Sequence, residues 1–190
     1  MIIDISQEIL SCKVYPGDPS PKAEKLCDME KGEVYNLTAF SMCAHNGTHV
    51  DAPAHFWKDG KTIDEIPLEY FVGECYIARE EGSLDASDAR RILDAANGIK
   101  RILLAGELTV TADAAAVFAE AEIKLLGNES QSVGPEDAPM EVHKILLEAE
   151  MVLLEGIVLK GVEEGKYFLN AAPLNIAGCE GAPCRAYLIK

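Results

Sequence analysis

The sequence predicts an α/β protein built on a mixed sheet with flanking helices, and three observations carry that prediction. Apolar, strand-like runs alternate with helix-like segments between residues 73 and 159. Two of the three helix-like segments begin at residues able to cap them. The two ends of the chain are strand-like without intervening helices. At 190 residues and 48% hydrophobic content the chain can bury a full core, which predicts one domain over 1–190.

GECYIARE (73–80) reads as a strand, after which Asp85 can N-cap a helix through ASDARRILDAA (86–96). KRILLAG (100–106) is a buried strand closed by glycine, and Thr111 can cap a helix over ADAAAVFAEAE (112–122). KLLG (124–127) is a third strand, PMEVHKILLEAE (139–150) a third helix, and MVLLEGIVL (151–159) follows as a β-rich run. At the ends, IIDIS (2–6), VYNLTAFSM (34–42), KYFLNAAPL (166–174) and CRAYLIK (184–190) have strand composition, which predicts a second sheet region beside the α/β part. YPGDP (15–19) is a turn, because proline and glycine supply its backbone angles.

Charge and cysteine content narrow the partners. With 17 basic and 32 acidic residues the formal net charge is −15, a surface that repels nucleic acid and anionic membranes. MIIDISQEIL has no basic leader pattern, and no apolar run is long enough to span a bilayer, so the expected location is cytoplasmic. Six cysteines are scattered without a C-x-x-C. The one close pair, Cys179 and Cys184, matches no zinc knuckle and reads as structural thiols.

Chemistry concentrates in HNGTHVDAPAH (45–55), which holds three of the four histidines. Pro53, with Gly47, Thr48 and Val50, argues against a helix there. As an extended segment, His45, Gly47, His49, Asp51, Pro53 and His55 share one face, while Asn46, Thr48, Val50, Ala52, Ala54 and Phe56 share the other. Converging imidazoles and a carboxylate suit zinc or manganese. A straight strand would hold the α-carbons of residues four apart at about 13 Å, so Gly47 is expected to supply a turn that brings His45 to His49.

HNGTHVDAPAHF resembles the H-x-G-T-H-x-D-x-P-x-H-F signature of the cyclase-like metal-dependent hydrolases, a family that includes the bacterial kynurenine formamidases. DISQEI and YPGDP near the start, and PLNIAGCEGAPCRAYLI near the end, extend the resemblance over almost the whole chain. It implies a swivelling β/β/α fold, a homodimer or homotetramer, and two divalent ions per chain, Zn²⁺ or Mn²⁺. Carried over by position, it makes His45, His49 and Asp51 metal ligands and His55 the proton carrier. His143, followed twelve residues later by Glu155, completes the ligand set, with Asp51 and Glu155 bridging. The implied reaction is hydrolysis of an aryl formamide such as N-formylkynurenine, or of a cyclic amide such as isatin or a lactone. A metal-binding protein without turnover is the rival from another class, and His55 argues against it, since a pure binder needs no proton carrier.

Three departures from the family pattern bear on the substrate. Tyr15 stands where formamidases commonly have tryptophan to face the substrate's aryl group, which makes it the expected substrate-binding residue. Glu129 in GNESQSVG stands where aspartate is usual, and its longer carboxylate would keep a hydrogen bond only with a shift of the backbone. ELTVT (107–111) is shorter than the family's usual insertion, which predicts a pocket that is more open or depends on a neighbouring subunit. Phe56, Trp57 and Arg185 are assigned to structure.

Overall fold

Among the described residues thirteen strands and three α-helices follow in the order β1 (Ile2–Asp4), β2 (Lys22–Cys27), β3 (Leu37–Ser41), β4 (His49–Asp51), β5 (Val72–Arg79), β6 (Gly82–Leu84), α1 (Ala86–Ala96), β7 (Arg101–Ala105), β8 (Leu108–Val110), α2 (Ala112–Glu120), β9 (Leu125–Asn128), α3 (Met140–Glu148), β10 (Val152–Glu155), β11 (Gly165–Asn170), β12 (Gly181–Pro183) and β13 (Tyr187–Ile189). This is a computed structural model, and it describes residues 1–135 and 138–190. Nine strands form one sheet in the order β1-β13-β11-β5-β7-β9-β10-β4-β12. Its middle, β5-β7-β9-β10, is parallel, as βαβ units require, and its flanks are antiparallel.

The alternation of side chains explains why this sheet is buried on both faces. Ile77, Leu103, Leu125, Val152 and Leu154 point to one core, with Val50, Ala52, Phe71 and Leu169. Tyr76, Ile102, Leu104, Leu126 and Leu153 point to the other, where Ile92, Phe118 and Leu146 of the three helices cover them. Asp85 caps α1 by accepting from the backbone N–H of Ser87 and Asp88, and Thr111 caps α2 by accepting from Ala114. Both caps are as the sequence predicts.

The ends of the chain differ from expectation. Most of them join the main sheet instead of forming a second one: β1, β11 and β13 extend the parallel centre as an antiparallel flank. The reason is that residues 165–170 return alongside β5, giving its open edge a partner. Segment 34–42 does form a separate sheet as expected, its strand β3 pairing with β2 in an antiparallel hairpin with almost every residue exposed. The short segment 107–111 also holds a surprise, since β8 pairs with β6 in a small parallel sheet and buries Leu108 and Val110 under the helices.

Candidate metal centre

The centre forms where β4 lies antiparallel to β10, with His49 opposite Glu155 and Asp51 opposite Leu153. Val50 and Ala52 go to the core on one face, so His49 and Asp51 must project from the other, the helix-bearing face. Glu155 ends β10 in phase with Leu153 and projects the same way. From above, α3 presents a buried stripe of Val142, His143, Leu146 and Leu147, which brings His143 down onto the two strands.

The extended reading of 45–55 needs correction at both ends, because only His49–Asp51 is a strand. His45 lies on the preceding turn and His55 in a 3-10 turn over Pro53–His55, a change of direction that proline at the first helical position favours. Gly47 supplies the expected turn, with φ of 65°. Its carbonyl oxygen packs directly on Gly156 (φ 67°), where a Cβ would come within 2.4 Å of it. Thr48 fastens this contact by donating to the Gly156 carbonyl at 2.7 Å and accepting from the Gln7 N–H at 2.9 Å. Bending at Gly47 brings the His45 and His49 ring centroids to 5.2 Å.

Two ligand clusters result, His45/His49/Asp51 and Asp51/His143/Glu155, with Asp51 common to both. Asp51 Oδ1 lies 2.7 Å from His45 Nδ1 and 3.3 Å from His49 Nε2. His143 Nε2 is 3.3 Å from Glu155 Oε1 and 3.9 Å from Asp51 Oδ2, while His49 Nε2 is 3.6 Å from Glu155 Oε2. Donors about 2.0–2.1 Å from a tetrahedral ion stand about 3.3 Å apart, so these spacings fit one. Asp51 Oδ2 is buried without a hydrogen-bond partner, a costly state that a cation relieves. Two histidines are also locked in the tautomer a ligand needs. His49 Nδ1 faces the Gly47 carbonyl and His143 Nδ1 the Pro139 carbonyl, both at 2.9 Å, so each must donate there and leave Nε2 for the centre.

The electrostatics point the same way. Burial opposes protonation of His45, yet Asp51, with Glu180 behind the ring, raises its pKa to about 9. Burial likewise opposes charge on His49 and His143, and is overcome by Asp51 and Glu155 respectively. Burial would raise Asp51, but hydrogen bonds from His45 and His49 hold it well below the usual carboxylate range. Glu155 is raised by burial and by the charge of Asp51. Protons thus balance the buried carboxylates, and a divalent cation can replace them because ligation takes neutral imidazoles.

His55 belongs to neither cluster. Its ring stacks on His45 at 4.1 Å and meets Phe56 edge-on at 4.5 Å. Burial pushes its pKa down to about 4, which favours the neutral ring near pH 7.

All these side chains line a cavity of about 240 Å³, shared with Tyr15, Asp18, Phe56, Gln131, Ser132 and Pro139. Tyr15 thus stands on the cavity wall. Phe56 is pocket wall as well as packing, since it also lies 4.8 Å from the His143 ring. Trp57 and Arg185 are absent from the lining, and Arg185 pairs with Asp4 at 2.5 Å on the surface. No residue of 107–111 lines the cavity, so the short segment does not open it directly. Glu129 accepts from Gly106 N–H at 2.9 Å and Leu159 N–H at 2.8 Å, tying together the segments that follow β7, β9 and β10. All six cysteines are free thiols. Sequence reasoning missed Glu180, whose Oε1 is 3.3 Å from His45 Nε2, because nothing in GCEGAPC marks it except its distance in space. It also passed over Gln131 and Ser132, whose buried polar side-chain atoms lack partners.

Comparison with known proteins agrees with this geometry. The model of the Cyclase family, described as "Putative cyclase", matches residues 3–101. A kynurenine formamidase of Erythrobacter litoralis is 32% identical over 98% of this chain and 93% of its own. A solved structure of a potential metal-dependent hydrolase with cyclase activity superimposes with a TM-score of 0.84 at 29% identity, covering 99% of this chain and 96% of that one. Isatin hydrolase A from Labrenzia aggregata shares the fold, with a TM-score of 0.86 at 22% identity over 99% of this chain and 93% of its own.

Proposed function

Because the chain belongs to the cyclase family of metal-dependent hydrolases, we propose that it is an amidohydrolase, an arylformamidase that cleaves N-formylkynurenine to kynurenine and formate. The observation that carries this reading is the pair of ligand clusters sharing Asp51, with neutral His55 beside them on one small cavity. His45, His49 and Asp51 would hold one divalent ion and Asp51, His143 and Glu155 a second, as Zn²⁺ or Mn²⁺. When bound, such ions supply Lewis acidity, polarising the substrate carbonyl and lowering the pKa of water from about 15.7 toward about 7.

The chain's own residues do the rest. His55, neutral at rest, accepts a proton as water adds to the formyl carbon, then gives it to the amine nitrogen as the C–N bond breaks. Tyr15 and Phe56 offer flat faces to an aryl group on the cavity wall. A cyclic amide or lactone presents the same carbonyl to the same centre and is the nearest alternative substrate. A binder without turnover has no use for His55. We place the enzyme in the cytoplasm as a homodimer or homotetramer acting on a small amide, with neither nucleic acid nor membrane as partner. The exposed Phe40, Leu37 and Val34 of the β2–β3 hairpin supply an apolar surface for such association, and among the described residues no helix is long and apolar enough to cross a membrane.

The test is kcat/KM for N-formylkynurenine, formanilide, isatin and a simple lactone at one pH and one metal loading. We expect N-formylkynurenine to lead. Isatin leading would transfer the reading to cyclic amides. No turnover of any of them by metal-loaded protein would refute it.

A further inference from the structure

We propose that Glu180 is a positioning residue for one half of the centre: its carboxylate accepts the Nε2–H of His45, which turns Nδ1 of that ring toward the cation. The inference rests on the metal reading above and concerns how one ligand is held.

Four observations carry it. His45 Nδ1 is the nitrogen that faces Asp51, at 2.7 Å, while Nε2 faces Glu180 Oε1 at 3.3 Å. His49 and His143 are oriented the opposite way, donating Nδ1–H to backbone carbonyls and presenting Nε2. The backbone fixes where Glu180 sits, since Gly181 is the register partner of Asp51 and the Glu180 carbonyl accepts from Ala52 N–H at 2.9 Å. Gly181 also seats the ring, because a Cβ there would come within 2.8 Å of His45 Cε1. With the ring pressed against β12 and Nδ1 committed to the Asp51 side, Nε2 has a carboxylate as its partner.

A histidine that donates its second N–H to a carboxylate is a stronger and better-oriented ligand than one left to water. His49 and His143 have backbone carbonyls for this purpose. His45 comes from a turn, and a side chain of the neighbouring edge strand does the same for it.

The experiment is zinc titration of apo-protein against a chromophoric chelator, for wild type, Glu180→Ala, Glu180→Gln and His45→Ala. Wild type should take two ions per chain. Glu180→Ala should still saturate at two, with one site weakened about 10–100-fold, the usual effect of removing such a partner. Glu180→Gln should recover part of that loss, because its amide oxygen can still accept the N–H. Imidazole ¹⁵N shifts of zinc-loaded wild type should show Nδ1 ligation at His45 and Nε2 ligation at His49 and His143. Unchanged affinity at both sites in Glu180→Ala, or Nε2 ligation at His45, would overturn the proposal. So would saturation at one ion in Glu180→Ala, as in His45→Ala, since Glu180 would then be a ligand. Wild type that takes no zinc would instead refute the metal reading itself.

Discussion

The two halves of the centre share Asp51 but are held by different means. On the His143 side the ligands come from a helix and an inner strand, with His143 and Glu155 side chains only 4% and 3% exposed. Backbone groups orient both: the Pro139 carbonyl takes His143 Nδ1–H, and Val133 N–H donates to Glu155 Oε1 at 2.8 Å. On the other side His45 rides a glycine turn, is 15% exposed, and leans on a Glu180 side chain that is 44% exposed. In the buried half the backbone orients both ligands that are not shared; in the other half it orients His49, and only His45 depends on a side chain, next to the sheet edge. Rigidity and solvent access should divide along the same line.

Asp51 tests what the halves have in common. Asp51→Ala should lose both ions and reduce turnover to background, read by elemental analysis beside an activity assay. Retention of either ion would show that the halves are independent.

Removing one histidine from each half separates them. His143→Ala and His45→Ala should each lose one ion per chain. Apo-protein should be destabilised more by His143→Ala, by about 3–5 kcal/mol, because buried Glu155 then keeps only the Val133 N–H and the more distant His49. His45→Ala also takes a partner from buried Asp51, but His49 remains 3.3 Å from the same oxygen, and Glu180 is partly solvated. Denaturant unfolding of the two apo variants checks the order, and equal losses would erase the contrast drawn here.

His55 stacks on His45 but should serve both halves alike. His55→Ala is expected to keep its metal while activity falls about 10²–10⁴-fold, the usual contribution of a general acid–base. If an ion leaves with it, His55 belongs to the outer half.

The smallest effect concerns the seat of the outer half. Thr48→Ala removes a buried hydroxyl hydrogen-bonded to Gly156 and Gln7. It should cost about 1–3 kcal/mol of stability, visible as a lower Tm, and leave the inner ion's affinity unchanged. A weakened inner ion would show that the seat supports the whole centre.

How much was legible in the sequence follows the same division. The inner fold was readable because apolar strands and capped helices are local patterns, and 86–96 and 112–120 begin at the expected caps. His45, His49, Asp51 and His55 lie close enough in sequence to be seen as one motif, although a single strand could not describe their path. His143 and Glu155 came only through family resemblance, since a helix stripe and a strand end carry no local mark of convergence. Glu180 is 135 residues from His45, and only pairing of β12 with β4 makes them neighbours. Strands of three residues such as β6, β8 and β12 have too little periodicity to read.

One carboxylate serving two clusters also means that, on the two-ion reading proposed above, the ions would not bind as strangers. Whatever factor the first ion imposes on the affinity of the second, the second imposes on the first, because the coupling free energy belongs to the pair. Asp51 is where that energy is exchanged, each of its oxygens serving one neighbour more closely than the other. A change in the accessible half, such as a substrate displacing solvent or a proton arriving on Glu180, would therefore be felt by an ion held in the half that solvent scarcely reaches.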